Sequence, residues 1–118
     1  MLTQFANLDS IDIDSSFFIE QPRTAFLKPS VSLPKSKFWP MNKVAFRICT
    51  IPEIAEQIIY PITATSANIS GDDSIYSVKE LKTIFGDEVG IYDKIEKLSI
   101  VTPSEILDFT GSDVVRVR

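Results

Sequence analysis

The sequence predicts a mixed fold of the α/β or α+β kind, and three observations point there. Short apolar runs of strand length recur along the chain, two amphipathic segments of helical period lie between them, and prolines and polar clusters punctuate the joins. With 118 residues, 44% of them hydrophobic, the chain has the material for one core, so residues 1–118 are expected to form a single domain.

The elements follow in order. The first fourteen residues show no sustained period and read as a loosely held lead-in. Residues 16–19 form a short apolar run before Pro22 and read as a strand. Four prolines between Pro22 and Pro40 favour extended segments joined by turns over a helix. Residues 43–48 alternate, with Val44, Phe46 and Ile48 on one side and Ala45 and Arg47 on the other, as in a strand whose Arg47 points away from the main apolar face. A helix is expected after Thr50, a capping residue type, with Pro52 in its first turn. Ile51, Ile54, Ala55, Ile58 and Ile59 would be its buried stripe, and Tyr60 before Pro61 its end. Residues 62–64 read as a strand leading into a polar turn, TSANISG. Ser77 with Glu80 three residues later forms a capping box for a second helix, which runs to Gly86 with Val78, Leu81, Ile84 and Phe85 on its apolar face. Residues 89–92, 98–101, 106–109 and 114–117 are further strand candidates.

Composition excludes several chemistries. There is no histidine, so the commonest general base and zinc ligand are absent, and catalysis would have to run on carboxylates, Lys/Arg, hydroxyls or a cofactor. The single cysteine, Cys49, forms no internal disulfide and reads as a small apolar residue. No run approaches the roughly 18 apolar residues of a membrane span. Asp9, Asp12 and Asp14 stand where a secretory leader would be basic and apolar, so a reducing cytoplasm is the expected compartment. The net charge of −4 conceals an asymmetry. Residues 21–50 hold Arg23, Lys28, Lys35, Lys37, Lys43 and Arg47 with no acid, which leaves 6 basic and 16 acidic residues elsewhere. Such a stretch fits an anion such as phosphate, and equally fits lysines scattered over a loop-rich surface.

Residues 61–71, PITATSANISG, place Thr65, Ser66, Asn68 and Ser70 on a turn after a strand-like segment. Hydroxyls and amides there can accept from and donate to phosphate, carboxylate or ribose; they can also simply cap their own backbone. The stretch resembles the P-[IL]-x-x-T-S-A-N-x-S-G block of the YrdC-like domains of the threonylcarbamoyl-AMP synthase family, with Ser66 and Asn68 at its SxN positions. PSEILDFTG at residues 103–111 and the following VVRVR resemble that family's second block and its arginine-ended strand. VAFRI resembles the strand whose arginine faces the ligand cavity. The resemblance covers residues 40–118 well and 1–39 poorly.

It implies a YrdC-like twisted mixed sheet with flanking helices, here lacking the N-terminal part. It also implies a synthesis in which ATP, L-threonine and bicarbonate give threonylcarbamoyl-AMP and pyrophosphate, for modification of adenosine 37 in tRNA. Carried over by position, Arg47, Thr65, Ser66, Asn68 and Ser104 would contact threonine or ATP, and Arg116 or Arg118 would lie near the nucleotide, with Mg²⁺ on the phosphates. The family's P-T-E-T-x-Y-G-L and K-x-R blocks are absent from these 118 residues. Arg23 and Lys28 are the nearest basic residues, in a context closer to the family's P-G-P-x-T region.

The expectation is therefore half of a catalytic cavity, working alone as a divergent member or with a second chain. The competing reading is a non-catalytic module for nucleotide or double-stranded RNA, kept open by the basic stretch and opposed by a pI of about 4.7. Phe38 and Trp39 could stack on a base but more often pack beside a proline, and Asp72 and Asp73 could meet Mg²⁺ but more often solvate a turn.

Overall fold

The computed structural model describes residues 2–37, 39–90 and 102–118. The chain divides into two compact units, residues 1–57 with 103–118, and residues 58–102.

The first unit is built on a mixed sheet. β1 (Ala6–Asn7) follows a single helical turn, α1 (Leu2–Phe5), and pairs antiparallel with the end of β2 (Arg23–Pro29), Ala6 opposite Pro29. β3 (Val44–Phe46) is antiparallel to β2, with Ala25 opposite Phe46. β4 (Glu105–Asp108) runs parallel to β2 in the register Arg23 to Glu105 through Phe26 to Asp108. β5 (Val115–Arg116) is antiparallel to β4 at the sheet's edge. Period-two alternation sends Ala25 and Leu27 to one face, where both are fully buried with Ala6, Ile13 and Phe18. Phe46 and Ile48 pack on this core while Arg47 is exposed. The valines at the other end of the sheet stay open: Val115 and Val117 are 56% and 54% exposed.

Three expectations change here. Residues 16–19 lie in a helix, α2 (Ser15–Ile19), because Asp14 accepts hydrogen bonds from the amides of Ser16 at 2.8 Å and Phe17 at 3.4 Å and so caps it. The helix lets Phe18 drop into the core, with Phe17 edge-on to it at 4.9 Å. The first fourteen residues are tied down, since Ala6 and Ile13 belong to the core and Ser30 donates from its amide to the Phe5 carbonyl at 2.9 Å. The helix after Thr50 is only α3 (Pro52–Ala55), its N-cap is Ile51, and no side chain caps it. The rest of the expected stripe is poorly covered, Ile58 being only half-buried and Ile59 73% exposed, and the helix stops before residues 58–60.

In the second unit residues 62–64 form no strand. α4 (Val78–Phe85) is the predicted helix, with Ser77 Oγ accepting from the Glu80 amide at 3.5 Å. Gly86 closes it at φ +54°, a left-handed angle that favours glycine, and its amide donates to the Lys82 carbonyl at 3.0 Å. Of the remaining candidates, residues 106–109 overlap β4 with a shift of one residue and residues 114–117 contain the shorter β5. Val89 and Gly90 are outside any strand, and residues 91–92 and 98–101 lie outside the described residues.

Leu27 fills the centre of the first unit. Leu27→Ala is expected to lower stability by about 2–5 kcal/mol in urea unfolding, whereas a loss under about 1 kcal/mol would show that this core is not closed as described.

Candidate functional site

The turn in the second unit is held from within. Ser66 Oγ donates to Asn68 Oδ1 at 2.5 Å, and Asn68 Nδ2 donates to the carbonyls of Ile69 at 2.9 Å and Asp72 at 3.2 Å. Two carbonyls on one side require the amide's nitrogen there, which fixes its orientation. The Asp72 amide returns to the Ile69 carbonyl at 2.9 Å, the Ile75 amide to that of Ala67 at 2.8 Å, and Gly71 takes φ +98°. Asn68 is thus committed to the backbone of the turn. The exposed hydroxyl of Thr65 and the free lone pairs of Ser66 Oγ are what this turn presents outward. Asp72 and Asp73 are exposed beside them, and no group of three His, Cys, Asp or Glu side chains gathers among the described residues.

The first unit holds the other sequence-predicted residues. Ser104, just before β4, is buried, and its hydroxyl meets that of Thr24 at 3.0 Å. Arg118 Nε donates to the Ser104 carbonyl at 3.2 Å. Arg116 instead turns to Glu105, Nε to Oε1 at 3.1 Å, while Arg23 Nε takes Oε2 at 3.3 Å. Arg23 is anchored further by the Phe17 carbonyl at 3.1 Å and lies 5.0 Å from the Phe17 ring centroid. Arg47 follows β3, exposed and without an ion pair among the described residues.

Lys43 donates to Asp108 Oδ2 and sits 4.6 Å from the Phe26 ring centroid. Thr110 donates to Asp108 Oδ1 through its hydroxyl at 2.6 Å and its amide at 2.9 Å. The Lys43 hydrogen bond first, and then the Thr110 hydroxyl, lower the Asp108 carboxyl from 3.8 to about 2.

Thr24 and Glu105 were not singled out by the sequence, although each touches or steers a residue that was. The only trace was the P-G-P-x-T-like context around Thr24; an Arg and a Glu 82 positions apart give no sign that they will face each other. Cys49 is half-buried, with its thiol 3.7 Å from the Ile51 carbonyl. Trp39 is half-buried with its indole nitrogen enclosed, as a packed ring is, and Phe38 lies outside the described residues.

A family model, Sua5/YciO/YrdC with the description "Telomere recombination", matches residues 8–118. The threonylcarbamoyl-AMP synthase of Mannheimia succiniciproducens is 32% identical over 98 residues, 80% of this chain and 53% of that protein. A putative threonylcarbamoyl-AMP synthase of Methanocaldococcus jannaschii is 31% identical over 101 residues, 86% of this chain and 48% of the relative. The threonylcarbamoyl-AMP synthase of Pasteurella multocida is 27% identical over 117 residues, 97% of this chain and 62% of the relative. The chain spans about half the length of the curated relatives it matches. No solved structure gives a significant match.

Asp108 titrates low in the folded chain, so its stabilisation is complete above about pH 4 and is lost as pH falls towards 2. Lys43→Met is expected to raise the Asp108 carboxyl towards 3.8 in an NMR titration, and an unchanged value would remove Lys43 as the main cause.

Proposed function

The chain belongs to the Sua5/YciO/YrdC family, and from that premise we propose that it binds ATP and L-threonine and contributes part of the cavity of a threonylcarbamoyl-AMP synthase serving tRNA modification. In that synthesis the amine of threonine is carboxylated with bicarbonate, with loss of water. The carbamate oxygen then bonds to the α-phosphorus of ATP, and pyrophosphate leaves.

The observation that carries this reading is the complete PITATSANISG block, whose Asn68 holds the backbone of a polar turn from inside. Its preorganised hydroxyls would orient threonine or ribose at no further ordering cost. In the first unit, Ser104 with its Thr24 neighbour would supply hydroxyls to the nucleotide. Arg47 and an arginine of β5 or the residues after it would meet carboxylate or phosphate, where the guanidinium fork is well matched to either anion.

The described residues offer no three-ligand metal group. A Mg²⁺ ion carried on the phosphates of ATP would need only one or two carboxylates from the protein and would neutralise the charge of the triphosphate. A free cysteine is consistent with a reducing cytoplasm, and no helix among the described residues is long and apolar enough to cross a membrane.

The absent K-x-R and P-T-E-T-x-Y-G-L blocks matter for rate. A triphosphate gripped from one side is neither neutralised nor held in line, and one lost charge clamp costs on the order of a hundredfold or more. The second reading, a binding module for nucleotide or double-stranded RNA, is favoured by the basic stretch at residues 21–50. A partner chain carrying the missing blocks would restore the first.

ATP binding is expected in calorimetry, with Arg47→Ala weakening it by about 1.5–3 kcal/mol. Given ATP, L-threonine and bicarbonate, the chain alone is expected to release pyrophosphate slowly or not at all. Fast release by the chain alone would overturn the half-cavity reading, and no nucleotide binding at millimolar ATP would overturn the substrate assignment.

A further inference from the structure

The hydroxyls of Thr24 and Ser104 meet at 3.0 Å, and only one of their two protons can lie between them. The pair is not symmetric. Ser104 is buried, at 7% exposure, whereas Thr24 is half-buried. Among the described residues the Ser104 hydroxyl meets Thr24 alone. Were Thr24 the donor, the proton of Ser104 would be enclosed with no acceptor. An enclosed donor left without a partner is costly, while a half-buried one still reaches solvent or a ligand. Ser104 therefore donates and Thr24 accepts, which leaves Thr24 with its proton and one lone pair to spend elsewhere.

The neighbouring strand says what that proton would meet. Ala25 is paired with Phe46, and both belong to the core side of the sheet. Period-two alternation sets Thr24 and Arg47, each next to one member of that pair, on the opposite face. Lys43 shares that side with Arg47, but its charge is taken up by Asp108 and it lies against the Phe26 ring. Arg47 is exposed and has no ion pair among the described residues. An uncommitted cation and a hydroxyl with a free proton thus belong to adjacent strands and to one face. The charge decides between possible ligand groups, because a guanidinium attracts an anionic oxygen and repels an ammonium.

We infer that Thr24 is a ligand-binding residue whose hydroxyl donates to an anionic oxygen, of a carboxylate or a phosphate, and that Ser104 is a positioning residue that acts through Thr24 without touching the ligand. This deepens the ligand-binding reading given above and rests on it.

The test is calorimetry of the full chain with ATP, inorganic pyrophosphate and L-threonine as separate probes. Thr24→Val keeps the shape and removes the hydroxyl. It is expected to weaken binding about tenfold or more, the loss of one charge-assisted contact. Weakening towards L-threonine assigns the oxygen to a carboxylate, weakening towards ATP and pyrophosphate assigns it to a phosphate, and either supports the inference. Thr24→Ser is expected to stay within about twofold of the wild-type chain, a rescue that a packing role would not give because the methyl group is lost. Thr24→Val strands the buried Ser104 proton, so the double variant Thr24→Val/Ser104→Ala, which removes both partners, keeps the test open should the single variant unfold. The double variant is expected to bind as weakly as Thr24→Val and no more weakly, since Ser104 has no ligand contact of its own. The inference is overturned if either variant lacking the Thr24 hydroxyl binds undiminished, if the double variant is more than about twofold weaker than a folded Thr24→Val protein, or if Thr24→Ser is as weak as Thr24→Val. Any of these with wild-type binding intact leaves the ligand-binding reading standing. Binding of none of the three probes by the wild-type chain overturns both.

Discussion

The parallel pairing of β2 with β4 is the constraint on which the first unit depends. It joins segments 82 positions apart at the Arg23 and Glu105 rung, and it completes the cover over Ala25 and Leu27. The same register places Arg23 against Glu105, Thr24 against Ile106 and so within reach of the Ser104 hydroxyl two residues earlier, and Phe26 against Asp108, which in turn receives Lys43 from beside β3. The Arg23–Glu105 and Thr24–Ser104 contacts and the placing of Asp108 are thus one geometric fact. A slip of one residue would carry each side chain to the opposite face and abolish them together.

What could be read in the sequence was what is encoded locally. Ser77, Glu80 and Gly86 mark a helix through contacts spanning no more than four residues, and α4 has those bounds. β3 was legible because its residues alternate, Val44 and Phe46 half-buried about an exposed Ala45, whereas β4 and β5 were legible only as short apolar runs, since neither alternates in burial. Residues 16–19 failed for a comparable reason: four apolar or small residues fit either period, and the deciding signal was Asp14, just outside the run. The stripe ending at Ile59 had the right period, but a period stabilises a helix only where something covers it.

The candidate site was half legible on the same terms. The polar turn could be recognised residue by residue, but the hydrogen bonds show a division of labour that composition conceals, with Asn68 serving the backbone and Thr65 and Ser66 facing outward. Likewise Arg116 and Arg118 are indistinguishable as letters two apart, and only the neighbour across the sheet separates them. Thr24 and Glu105 acquire meaning through pairing alone, which no single-sequence period contains.

The distance between β2 and β4 also orders events while the chain is being made. β2 is finished at Pro29 and β3 at Phe46, so the antiparallel pair can close early, whereas the other edge of β2 waits for Glu105. At a synthesis rate of about 5–20 residues per second, that edge stays open for roughly 4–16 s on the ribosome. An unpaired strand edge carrying Phe26 and flanked by apolar residues is a template for pairing with other chains. The yield of soluble protein is then governed by what shields β2 during those seconds, and a finished molecule of good stability can still be lost before it exists.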